Sequence, residues 1–128
     1  FDGLGDLEAP GMLLAAAKQL ATPYGEILLM ATGPDATSVQ MMNSALNSLE
    51  SVGLREHTLL LADSYSTCRG LSKPCWWSSR LLRRAPGESI TMSKFWDWRF
   101  RFYFIKKMYI AQLVRGGYSV LQADTDTV

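Results

Sequence analysis

Apolar positions along this chain fall into two patterns: short unbroken runs, and longer stretches in which they recur every three or four residues. Residues 26–31 (EILLMA) and 57–62 (HTLLLA) are unbroken runs bounded by turn residues, the reading of strands buried on both faces. Between them, Val39, Met42, Leu46 and Leu49 form one helical stripe. Thr37 or Ser38 is expected to cap that helix, and Gly53 to end it in the left-handed conformation. Strand, helix and strand with short connections make a βαβ unit, which favours a parallel sheet. Upstream, 12–21 (MLLAAAKQLA) predicts a short helix with Leu13, Ala17 and Leu20 on one face, and 1–10 reads as a loose, Gly-rich and acidic lead-in.

Downstream, 63–72 is polar and predicts a short helix leading to a short third strand at 74–77 (PCWW). Residues 78–89 read as a loop. Residues 91–115 are helix-permissive, with Phe95, Trp98, Phe102, Ile105, Tyr109 and Leu113 near one face. Gly116-Gly117 stops that helix, and 118–123 (YSVLQA) predicts a last strand delivering Asp124-Thr125-Asp126. The expected architecture is α/β, Rossmann-like, with a mainly parallel sheet flanked by helices. Ligands of such sheets bind beyond the carboxyl ends of the strands. Thr32, Asp63 and the Asp124/Asp126 pair all fall at such ends.

Charge and cysteines refine this picture only slightly. With 128 residues, 48% apolar, 20% charged and a net charge of +1, the chain is ordinary globular material with no global pull toward nucleic acid. Basic residues gather between Arg69 and Arg115, which suits an anionic ligand or a solvated face. Cys68 and Cys75 allow one disulfide or two free thiols. A single histidine, His57, excludes a His-rich metal site. No apolar run approaches the roughly 20 residues that span a bilayer.

The acidic pair suggests chemistry. Two carboxylates one residue apart, just past an apolar strand, are costly to bury uncompensated. A turn that brings both to the sheet edge would let them hold Mn²⁺ or Mg²⁺, hard cations that complete their shell with water and substrate phosphates. The plain alternative is a surface turn. Of the aromatic group Phe95, Trp96, Trp98, Phe100, Phe102, Tyr103 and Phe104, most are expected to pack in the core, although stacking on a base or sugar is open to them. Trp76-Trp77 is expected as a strand-end core pair, and His57 as structural or exposed.

Residues 95–128 (FWDWRFRFYFIKKMYIAQLVRGGYSVLQADTDTV) resemble the nucleotide-diphospho-sugar transferases of glycosyltransferase family 77 of plants and algae. The features are a Lys-bearing helix, then Gly117-Tyr118, a Val-Leu strand and the D-x-D. EILLMATG and HTLLLAD fit the same family's opening βαβ unit. The resemblance implies a GT-A fold, a nucleotide-sugar donor, a glycan or glycoprotein acceptor, Mn²⁺ or Mg²⁺ dependence and retention of anomeric configuration. It also implies a type II membrane protein of the Golgi, building cell-wall polysaccharide or glycoprotein glycans. By the same resemblance Asp126 is the direct metal ligand, and Asp124 binds the donor ribose, the metal or both. Lys106 approaches the diphosphate, while Thr32 and Asp63 line the nucleoside pocket. Residues 1–25 would then be a lead-in, and 26–128 the donor-binding part of a domain continuing past the D-x-D.

Two rival readings stand beside this one. Asp124-Thr125-Asp126-Thr127-Val128 also fits the D-x-D-x-[TV] pattern of haloacid dehalogenase-type phosphatases, with Asp124 as nucleophile and Asp126 as general acid and base. There, however, the motif normally follows the first strand. A non-catalytic, degenerate transferase is the second rival.

Overall fold

In the computed structural model, residues 3–33, 35–81 and 92–124 are described, with side chains from Phe100 onward in the last segment. The strands are β1 (Gly3–Asp6), β2 (Glu26–Thr32), β3 (Thr58–Ala62), β4 (Cys75–Trp77) and β5 (Ser119–Gln122). The helices are α1 (Met12–Leu20), α2 (Ala36–Ser51), α3 (Tyr65–Cys68) and α4 (Met92–Arg115). The strands form one sheet in the order β1-β4-β3-β2-β5, and every pairing is parallel. The α/β reading and the parallel sheet hold, and helices cover both faces as in Rossmann-like folds.

The order explains which helix lies on which face. From β2 to β3 to β4 the chain steps one way across the sheet, whereas β1 to β2 and β4 to β5 step the other way. Crossovers of a single hand must then put α2 and α3 on one face and α1 and α4 on the other. Two apolar clusters show this division. Leu13, Ala17 and Leu20 of α1 and Ile105, Tyr109 and Leu113 of α4 pack on Ile27, Leu29, Leu59 and Leu61. On the other face Met42, Ala45, Leu46 and Leu49 of α2, with Cys68, pack on Leu28, Met30 and Leu60. All five β3 residues are buried, at about 1.5–3 kcal/mol per large apolar side chain, so β3 is the strand around which the core closes.

Three local expectations are corrected. Residues 3–6 are a strand and not a loose lead-in: β1 pairs with β4, and Leu7 N–H continues the ladder to Trp77 O at 2.8 Å. Gly3 permits this, because a Cβ there would lie 2.5 Å from the Trp77 ring. The cap of α2 is Asp35, which accepts from Ser38 N–H at 3.0 Å, and neither Thr37 nor Ser38 fills that place. His57 ends a 3₁₀ turn ahead of β3, its ring nitrogen 2.7 Å from Leu20 O. Gly53, at φ +78°, closes α2 as expected.

Cys68 and Cys75 form a disulfide, with Cα atoms 5.6 Å apart. Both are fully buried, so the bridge fastens α3 to the start of β4. Of the 78–89 loop, Ser79–Leu81 is a 3₁₀ turn and 82–89 lie outside the described residues. No helix among the described residues is long and apolar enough to cross a membrane.

Candidate functional site at the carboxyl edge of the sheet

β2 lies between β3 and β5 in the sheet, and α2, which leaves β2, packs on the face opposite α4, which enters β5. Ligands of parallel sheets bind beyond the carboxyl ends of the strands. Thr32 ends β2, Asp63 follows β3, and Asp124 follows β5. Ala123 N–H still bonds Leu29 O at 3.2 Å, so the chain is held to the sheet until just before Asp124. Asp63 and Asp124 lie on opposite sides of β2, about 10 Å apart at the strand spacing.

The closest association is between two residues far apart in sequence. Lys106, on α4, is buried to 5% side-chain exposure, and its Nζ lies 3.8 Å from Asp124 Oδ1, a carboxylate 67% exposed. At that distance the contact is one of charge and not a tight hydrogen bond. Burying an ammonium costs several kcal/mol unless opposite charge or a π face compensates. Both are present: Asp124 on one side, and the Tyr103 ring with its centroid 5.2 Å from Nζ. Lys106 is therefore not the solvated helical lysine that its type suggests. Its neighbour Lys107 is the exposed one, and donates to Gln122 Oε1 at 3.1 Å.

Thr32 and Asp63 are at the expected edge but are turned to internal partners. Thr32 is buried and its hydroxyl donates to Gly33 O at 3.2 Å. Asp63 is 5% exposed and accepts from Thr67 Oγ1 at 2.6 Å, which anchors the first turn of α3. The structure thus brings Lys106 and Asp124 together, and leaves Thr32 and Asp63 buried at the same edge with partners of their own. Asp126 lies outside the described residues. Among the described residues no group of three or more His, Cys, Asp or Glu side chains is placed to share a metal ion. The exposed carboxylates described at this edge are Asp124 and Asp35, and Asp35 is engaged as the cap of α2. That fits Mn²⁺ or Mg²⁺ held by one or two carboxylates with phosphate and water completing the shell.

A second polar cluster supports the same edge and was not legible in the sequence. Tyr109, 1% exposed, donates to Glu8 Oε1 at 2.7 Å and is hydrogen-bonded to Ser78 Oγ at 2.7 Å. Glu8 in turn pairs with Arg80 at 3.1 Å. Burial, with the Glu8 carboxylate adding to it, pushes the Tyr109 phenol well above its ordinary value. Burial also raises the Asp6 carboxyl, but hydrogen bonds from the Glu8 and Ser79 N–H groups, both 3.0 Å, outweigh it and hold the group below the usual range. The cluster ties the ends of β1 and β4 to α4. Its only sequence signal is a tyrosine within an apolar stripe, whose hydroxyl must find a partner when buried.

The aromatic residues divide differently from expectation. Trp76 is core, at 3% exposure, whereas Trp77 is half-buried and meets Tyr65 edge-on at 5.4 Å. Phe102 packs against the core, but Phe100, Tyr103 and Phe104 are exposed. The side chains of Phe95, Trp96 and Trp98 lie outside the described residues. A mostly apolar cavity of about 270 Å³ lies between Glu26, His57, Leu54 and Leu121. It sits at the opposite, amino end of β2 and β5, away from the charged edge.

Comparison with family models, with curated proteins and with solved structures finds no match for this chain.

Proposed function

We propose that this chain binds a nucleotide-diphospho-sugar at the carboxyl ends of β2 and β5 and is the donor-binding part of a metal-assisted glycosyltransferase of GT-A type. The observation supporting this reading is the Lys106–Asp124 pair: a buried cation and an exposed carboxylate at the carboxyl edge of a parallel sheet. A diphosphate with its dication offers each of these groups a partner of opposite sign. Lys106 exchanges Asp124 for a phosphate oxygen, and Asp124 exchanges Lys106 for the cation. In that role Lys106 acts as a positive charge whose surroundings exclude water and strengthen its field. Bound Mn²⁺ or Mg²⁺ supplies Lewis-acid neutralisation of the departing diphosphate. Asp124 would hold it, with Asp126 as the second carboxylate. Thr32 and Asp63, at the same edge of the sheet, position the nucleoside.

The Cys68–Cys75 bridge supports a chain that matures in an oxidising lumen, as a Golgi enzyme acting on glycan or glycoprotein acceptors does. The phosphatase reading gains no observation of its own, because β5 follows a complete βαβ layer and pairs only with β2 among the described strands.

Calorimetric titration with UDP in the presence of Mn²⁺ tests the proposal. Saturable binding that requires the metal, and that falls at least about tenfold in Asp124→Asn, is the expected result. Equal binding with and without Mn²⁺ would contradict it, as would trapping of a phospho-aspartate at Asp124.

A further inference from the structure

Residues 63–74 carry the chain from β3 to β4, and they contribute Cys68 and Leu71 to the apolar core. α3, at Tyr65–Cys68, is a single turn, too short to be stable on its own. Polar ties join the segment to its surroundings. Thr67 Oγ1 donates to Asp63, at the head of the turn, at 2.6 Å. The Asn43 side chain accepts from Ser72 N–H at 2.8 Å and donates to Gly70 O at 3.0 Å. To these is added one covalent bond, between the last residue of α3 and the first of β4. Cys68 and Cys75 are seven positions apart, so the bridge closes a small loop and restrains this connection far more than the chain as a whole. β2 and β3, paired from Leu28–Thr58 to Thr32–Ala62, lie outside that loop.

We propose that the Cys68–Cys75 bridge is a redox clasp that seats α3 on the sheet, and with it the Asp63 end of the candidate site. Reduction by a dithiol breaks the Sγ–Sγ bond. The reductant supplies two electrons and two protons and closes to its own disulfide, and Cys68 and Cys75 become thiols. Neutral thiols suit the apolar surroundings of Met42, Leu46 and Leu71, so the core itself is not disrupted. What is lost is the restraint on 68–75. A single turn with few buried apolar groups is then the first part of the sheet's covering to open. Both cysteines are fully buried, so a reductant reaches the sulfurs only while α3 is lifted, and the rate of reduction reads that opening. The consequence for ligand binding rests on the donor-binding reading given above. Asp63 directly precedes α3 and its carboxylate is bonded to Thr67, so lifting the turn displaces it from the carboxyl edge.

Amide hydrogen exchange on the full chain, before and after treatment with dithiothreitol, tests the clasp. Reduction without denaturant, yielding two thiols per chain, is expected. The N–H groups of Arg69, Gly70 and Leu71 bond the carbonyls of Ser66, Thr67 and Cys68, and their exchange should rise at least about tenfold on reduction. Leu59, Leu60 and Leu61 of β3 should stay protected. Cys68→Ala/Cys75→Ala should show the same localised rise with no reductant present. A bridge that is reduced only in urea overturns the clasp, as do amides at 69–71 that are already unprotected in the oxidised chain. An equal rise in β3, or a double variant that does not fold, also overturns it, and makes the bridge a staple of the whole core. Calorimetric UDP–Mn²⁺ titration of the parent and the double variant separates the two proposals. Binding weakened at least about threefold in the variant is expected, and equal binding overturns the link to Asp63. Localised opening with no UDP binding to either chain sinks the transferase reading and leaves the clasp standing.

Discussion

Lys106 and Asp124 share one contact but not one environment, and this asymmetry has a measurable consequence. Removing Asp124 leaves a buried ammonium with the Tyr103 ring as its other described contact, whereas removing the ammonium leaves a carboxylate that is 67% exposed. Asp124→Ala is therefore expected to lower unfolding free energy by about 1–2 kcal/mol, scaled down from fully buried pairs because Asp124 is largely solvated. Lys106→Met, which keeps the buried stem, is expected to be neutral or stabilising. Urea denaturation of the two variants measures the difference, and equal losses would mean that the charge is not the feature that matters at position 106. The sequence showed that a Lys precedes the Gly117 turn, but not that it is the inward one of two adjacent lysines. That depends on the rotation of α4, which the apolar line through Phe102, Ile105, Tyr109 and Leu113 sets. The same rotation turns Phe100, Tyr103 and Phe104 outward, so an aromatic-rich helix that reads as core material has a wet aromatic face.

Secondary structure was readable where periodicity was strong and hidden where tertiary pairing made the element. β2, β3 and α2 follow from unbroken apolar runs and a stripe of three-and-four spacing, and their ends fall within a residue or two of the expected positions. β1 has no such signal. Gly-Leu-Gly-Asp has little strand propensity, and it becomes a strand because β4 offers an edge and Trp77 lies where only a glycine fits. Gly3→Ala tests that dependence. A Cβ 2.5 Å from the Trp77 ring forces the indole to shift, and a loss of about 1–3 kcal/mol is expected from overpacking. Amide hydrogen exchange at Gly5 and Leu7 should rise in this variant while β3 stays protected. A variant as stable as the parent, with unchanged exchange, would mean that β1 does not depend on this close approach. The cap of α2 is Asp35 and not Thr37 or Ser38, because its carboxylate is placed to accept from Ser38 N–H.

Across the whole molecule, the strand order converts a list of polar residues into a site. The sequence shows that Thr32, Asp63 and Asp124 each follow a strand, and a parallel sheet puts them at one edge. That Asp124 falls beside β2 depends on β5 pairing with β2 and not extending the other end of the sheet, and no local pattern encodes that choice. The central claim is that a metal–diphosphate unit binds at the carboxyl ends of β2 and β5, against Lys106 and Asp124. Paramagnetic line broadening by Mn²⁺ in the presence of UDP tests it most directly. The account predicts broadening centred on the amides of Thr32, Gly33, Ala123 and Asp124 and on the side chain of Lys106, with Thr22, Glu26 and His57 at the amino edge spared. Broadening centred on the amino edge, or broadening unchanged when UDP is omitted and Lys106 is replaced by Met, would contradict it.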